Sequence, residues 1–108
     1  MATLHDIHEN IAGQIQRDLE SRGINGKELV TLMYTGLVEE AGEVAGVFKR
    51  RIRKGEKDAE PTSDAHLVEE IGDVLWYLVG LCYALGFNID DIWSKNIEKL
   101  EERYGRDY

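Results

Sequence analysis

The sequence predicts an all-α domain, a four-helix bundle assembled as a homo-oligomer, and three observations carry that expectation. Apolar residues recur three and four apart through four separate stretches, which is the period of a helix with one face against a core. No stretch alternates apolar and polar residues as a half-buried strand does, no glycine-rich phosphate loop follows a strand, and no repeat of useful length occurs. From Val74 to Leu85 the chain is apolar almost all round, more than one small helical hairpin can cover, so a second copy is expected against it.

Leu4, Ile7, Ile11, Ile15 and Leu19 form the narrow stripe of a first helix that ends near 21–23. His5 and His8 share a face, but no acidic or cysteine partners accompany them, so a surface role is expected. Asn25, followed three residues on by Glu28, has the pattern of a capping box and starts a second helix. Leu29, Met33, Leu37, Val44, Phe48 and Ile52 keep the period as far as Lys54, and Gly55 suits as terminator. The end of this helix carries Lys49, Arg50, Arg51, Arg53 and Lys54, a cluster favoured by the negative end of the helix dipole. The dipole suffices to explain Arg50 and Arg51, whereas Lys49 and Arg53, four apart, form a basic face able to reach an anionic ligand.

Residues 55–63 are polar, include the sole proline, and read as a surface loop. Thr62, Ser63 or Asp64 caps the third helix, in which His66 precedes Glu70 by one turn; exposure of this histidine is favoured over a role beside the glutamate. Gly86 stops the third helix, and Asn88 with Asp91 opens a fourth, Phe87 and Ile92 standing where a hydrophobic staple would place them. Ile89, Trp93, Ile97, Leu100 and Tyr104 give the fourth helix its apolar face, and Asn96, Lys99 and Arg103 its polar one.

The chain has 108 residues, the size of one domain with a modest core. Its formal net charge of −8 argues against a nucleic-acid polymer as partner, because such binding runs on Lys and Arg neutralising phosphates. The lone Cys82 sits among apolar neighbours and fits a small buried hydrophobe in a reducing cytoplasm. The first ten residues are too polar for a signal peptide, and the longest apolar run falls short of the roughly 18–20 residues of a membrane span, so no membrane is expected.

Two acidic words stand out, Glu39-Glu40-Ala41-Gly42-Glu43 and Glu69-Glu70-Ile71-Gly72-Asp73. Positions three apart share a helix face, so Glu40 sits beside Glu43 and Glu70 beside Asp73, each pair at the margin of an apolar stripe; Glu39 and Glu69 project outward. Like charges beside low-dielectric surface are costly unless a cation compensates them, and if the two helices pack with these margins facing, four carboxylates converge on a divalent ion. All-oxygen ligation suits Mg²⁺ or Mn²⁺. A di-iron bundle is the nearest competitor, but its Glu-x-x-His pattern is missing, since Glu43 and Asp73 stand where histidine is needed.

These two words, the spacing between them and the downstream Asn96-Ile97-Glu98-Lys99-Leu100 leading to Arg103-Tyr104 resemble the MazG-like, all-α nucleoside triphosphate pyrophosphohydrolase superfamily. The resemblance implies Mg²⁺-dependent hydrolysis of a nucleoside triphosphate between its α- and β-phosphates, to the monophosphate and pyrophosphate, in house-cleaning of the nucleotide pool. It implies metal ligation and water activation by Glu40, Glu43, Glu70 and Asp73. Phosphate or sugar contacts would fall to Asn96 and Lys99, joined by Arg103, Lys49 and Arg53. Gly46 stands where many relatives carry a further acid, and Gly105 where a proline often follows. Met33, Tyr34, Trp76, Tyr77 and Trp93 are each able to stack on a base, with a core position favoured for aromatics at helical spacing. Other readings stay open: a sensing module that binds nucleotide or metal without turnover, a phosphoribosyl-ATP pyrophosphohydrolase-like enzyme, or a purely structural helical dimer.

Overall fold

A computed structural model describes residues 1–54 and 61–107 of the chain. They form four helices, α1 (Leu4–Asp18), α2 (Gly26–Lys54), α3 (Asp64–Leu85) and α4 (Ile89–Tyr104), with a short 3-10 turn at Glu20–Arg22. Among the described residues there is no strand, and no single helix is long and apolar enough to cross a membrane. The proposed terminator Gly55 and most of the expected loop lie outside the described residues.

The helix ends follow local chemistry. Thr3 Oγ1 accepts from the Asp6 amide at 3.1 Å while the Asp6 carboxylate accepts from the Thr3 amide at 3.0 Å, a reciprocal cap that apolar periodicity alone does not reveal. These bonds hold the Asp6 carboxyl below its ordinary range. Of the three candidates at the start of α3, Ser63 is the cap, accepting from the His66 amide at 3.1 Å. Asn88 caps α4 by accepting from the Asp90 amide at 2.8 Å, and Gly86, at φ 75°, closes α3 in a left-handed turn that a side chain would strain. Arg51 does more than complement a dipole: its Nε donates to the Thr62 carbonyl and its Nη2 to Asp64, both at 2.8 Å, tying the end of α2 to the start of α3.

The core is built by Ile11 and Ile15 of α1, Leu29 and Met33 of α2 and Val79 of α3, with Trp76, Tyr77, Tyr83 and Ile89 packed against it. Two glycines let the α2–α3 hairpin close. A Cβ on Gly36 would collide with the Tyr77 ring, and one on Gly80 with the Met33 sulfur.

α4 departs from the expected bundle. Its axis turns 102° from that of α3, it meets chiefly α1, and it contributes no buried residue. The radius of gyration is 16.7 Å, against about 13 Å for a compact chain of this length. Val68, Ile71, Leu75 and Leu78, three or four apart on α3, are 43–68% exposed and form an unbroken apolar stripe.

Candidate functional site

Along α2 the inward line runs Leu29, Met33, Gly36, Glu40 and Val47, and every member but Glu40 is fully buried. A half-buried carboxylate therefore stands in this line, between Met33 and Val47 at the edge of the core. Glu70, Asp73 and Tyr77 share a face of α3 by the same spacing and meet it across the hairpin. One oxygen each from Glu40, Glu70 and Asp73 lies within 4.8 Å of the others.

The electrostatics of this group are unfavourable as they stand. Set against the Glu70 carboxyl, with which it would have to share a proton, the Glu40 carboxyl is pushed up to about 7; loss of hydration and the charges of Glu70, Asp73 and Glu43 add to the rise. Glu70 Oε1 is 3.5 Å from His66 Nε2, while its Oε2 is buried with no hydrogen-bond partner among the described residues. His66, expected to be exposed, is half-buried beside the cluster. Three acids from two helices are thus held together with an oxygen left over, a donor set that an oxygen-seeking divalent cation fits. Glu43 is exposed and outside this oxygen group, although close enough for its charge to act on Glu40. Glu39 and Glu69 are exposed.

Beside the acids lies a depression of about 400 Å³ bounded by Glu40, Asp73, Trp76 and Tyr77. The two rings stand edge to face, 5.1 Å between centroids and 82° between planes. Of the other residues considered for stacking, Met33 is fully buried in the core, while Tyr34 and Trp93 are about half exposed and away from this depression.

The cationic candidates divide. At about 100° per residue, Lys49 and Arg53 lie roughly 180° and 140° round α2 from Glu40, and both are exposed. Arg50 lies on the Glu43 side and is half-buried; its guanidinium folds back over Gly46, Nη1 being 3.0 Å from where a Cβ there would stand. Its Nε is buried with no hydrogen-bond partner among the described residues. The glycine one turn earlier leaves this side chain its path. Asn96 lines a separate groove of about 380 Å³ with Leu75, Leu78, Cys82 and Trp93, on the side of α3 away from Glu70 and Asp73. Lys99 and Arg103 continue the Asn96 face of α4 and are exposed. Among the described residues, neither the acidic group nor the depression beside it includes a residue of α4.

Residues 29–106 match the MazG nucleotide pyrophosphohydrolase domain. The match opens in the first turn of α2, takes in both acidic words and α4, and leaves α1 outside. Gene 37 protein of Mycobacterium phage L5 is 36% identical over 85 residues, covering 77% of this chain and 70% of that protein. Uncharacterized protein YvdC of Bacillus subtilis (strain 168) is 33% identical over 73 residues, covering 63% of this chain and 69% of its own length.

Proposed function

Because the chain belongs to the MazG nucleotide pyrophosphohydrolase domain family, we propose that it hydrolyses a standard or modified (deoxy)nucleoside triphosphate to the monophosphate and pyrophosphate, with Mg²⁺, in house-cleaning of the nucleotide pool. The observation that carries this reading is the convergence of Glu40, Glu70 and Asp73, with a Glu70 oxygen buried and unbonded. Those three side chains, with Glu43 beside them, are the residues that would hold the metal. A bound divalent cation supplies positive charge against the phosphate oxygens and makes water more acidic. A carboxylate of the cluster takes the proton of the attacking water, whose oxygen joins phosphorus as the α–β bridging bond breaks and pyrophosphate leaves. Arg50, reaching back along α2, meets phosphate oxygens and stabilises the charge that gathers on the leaving group.

A panel of NTPs, dNTPs and modified nucleotides incubated with Mg²⁺, with monophosphate resolved from diphosphate, tests the reaction. Monophosphate with pyrophosphate is expected; binding without product would turn the reading into that of a sensing module. Arg50→Gln should raise KM about tenfold or more, as expected for loss of a charge-assisted bond worth about 1.5–3 kcal/mol. Lys49→Gln and Arg53→Gln should each stay within about threefold of wild type. The reverse ranking would return the phosphate contact to Lys49 and Arg53.

The remoteness of Asn96, Lys99 and Arg103 from the acids of their own chain supports a homodimer or higher homo-oligomer in which the polar face of α4 serves a second copy. The exposed stripe of α3 supports the same reading, because contiguous apolar surface of that kind is unusual on a soluble monomer. Light scattering should give at least a dimer mass. Glu40→Gln and Lys99→Ala, each impaired alone, should regain activity when mixed, since some mixed sites then carry both native residues. A monomer mass without complementation would remove α4 from the site.

A further inference from the structure

We propose that Gln14 of α1 is a positioning residue for the nucleotide base: it pins the Trp76 indole as a fixed wall of the acid-lined depression. The proposal rests on the nucleotide-hydrolysing reading above and adds to it which part of the chain governs the seat of the base.

Asn10 and Gln14 are one turn apart on α1. Gln14 Nε2 donates to Asn10 Oδ1 at 2.6 Å, and Gln14 Oε1 accepts from Trp76 Nε1 at 2.9 Å. The two bonds define one orientation of the carboxamide. Turned over, it would set an NH₂ group against an indole N–H that can only donate, and a carbonyl against the Asn10 oxygen. The indole so held stands edge-on to Tyr77, and the Tyr77 ring rests where Gly36 has no side chain. Supports from α1, α2 and α3 therefore converge on one aromatic wall, which shares the depression with Glu40 and Asp73.

A flat apolar face next to a group suited to a metal–phosphate complex offers a purine or pyrimidine a surface to stack on, an interaction indifferent to the identity of the base until the tilt of the wall is set. A tryptophan free to turn about χ1 and χ2 would present several tilts and lose entropy on binding; one already fixed does not. The pin lies outside the matched segment 29–106, whereas the acids lie inside it. Base selection is thereby set by a part of the chain that can vary without touching the hydrolytic group.

The test uses Gln14→Met, close in size but without the acceptor, with Asn10→Ala as a second variant that leaves Gln14 in place but unanchored. Trp76 and Trp93 are the two tryptophans of the chain, so in a Trp93→Phe background the emission of the nucleotide-free protein reports Trp76 alone. Gln14→Met should shift that emission and lower its anisotropy, Asn10→Ala less so. KM for the hydrolysed nucleotide should rise about fivefold, the scale of one lost hydrogen bond, with kcat and the thermal shift given by Mg²⁺ alone unchanged. In Trp76→Phe protein, which has no indole N–H to hold, Gln14→Met should add nothing to KM. Unchanged emission and anisotropy in Gln14→Met overturns the proposal whether or not turnover is seen. So does an equal rise of KM with and without Trp76. A wild-type protein inactive on every nucleotide, with the emission change present, overturns the hydrolytic reading and leaves the pin standing.

Discussion

Glu40→Gln should abolish turnover, by on the order of 100-fold or more as expected for a group acting on developing charge in the transition state, and should at the same time raise the melting temperature of the metal-free protein. The two effects have one cause. Glu40 occupies a core-facing position opposite Glu70 and Asp73. There its carboxyl titrates near 7, against an ordinary 4.5. The folded state therefore binds that proton more tightly than the unfolded chain. Stability from this group is fully present below about 4.5 and is lost as pH rises through about 7. A neutral amide removes the loss. Melts in EDTA at pH 5 and pH 8 should show wild type falling with pH and Glu40→Gln falling less, with the variant the more stable at pH 8. Millimolar Mg²⁺ should raise the wild-type melt, because a ligand of the folded state alone stabilises it by mass action, and should raise the variant little. Glu39→Gln, the same change at an exposed neighbour, should keep most of the activity and the wild-type pH slope. Equal losses in the two variants, or a Glu40→Gln protein less stable than wild type in EDTA at pH 8, would show that Glu40 serves the fold and not a cation.

Gly36→Ala should also disable the protein, by overpacking. Helix propensity favours alanine by about 1 kcal/mol, so a glycine of no structural consequence at mid-helix would be improved by the change. Here the new Cβ would enter the Tyr77 ring, a rigid group wedged between α2 and Trp76. Overpacking of this kind costs about 1–3 kcal/mol, and a ring that cannot fold away puts the cost at the upper end. The net loss of about 2 kcal/mol corresponds to a fall in Tm of about 8 °C or more in a domain of this size. Parting α2 from α3 one turn before Glu40 would also separate the acids, so activity should fall in protein that is still folded. Gly36→Ala in a Tyr77→Ala background should be neutral or slightly stabilising, as propensity alone predicts. A stabilised single variant would mean that the seam has slack.

Much of this was legible from residue order. Periodicity gives all four helices, and in α1 and α2 the spacing of Ile11 with Ile15 and of Leu29 with Met33 records the face that is buried. The pairing of Glu40 with Glu70 and Asp73 follows from the same spacing once α2 and α3 are taken as a hairpin. Which residues beside them join the group depends on packing angle. Glu43 shares its turn with Glu40 and stays outside, and His66, in a first turn that ordinarily faces water, is drawn beside Glu70. Arg50, unlike its basic neighbours, has Gly46 one turn beneath it, a relation visible as spacing. The exit of α4 is encoded by Gly86 as a left-handed turn, but its angle of 102° and its seat along α1 are matters of packing that residue order does not record.

That exit gives the chain two lifetimes. Opening the hairpin at Met33 or Val79, both without exposed surface, means dismantling the core, so amides there should exchange with solvent only through global unfolding. α4 has no fully buried residue, touches that core through Ile89, and is held mainly along α1. Its turns can therefore open and re-form many times while α2 and α3 stay shut. Amide exchange should therefore be slow around the acidic group and fast along the polar face of α4.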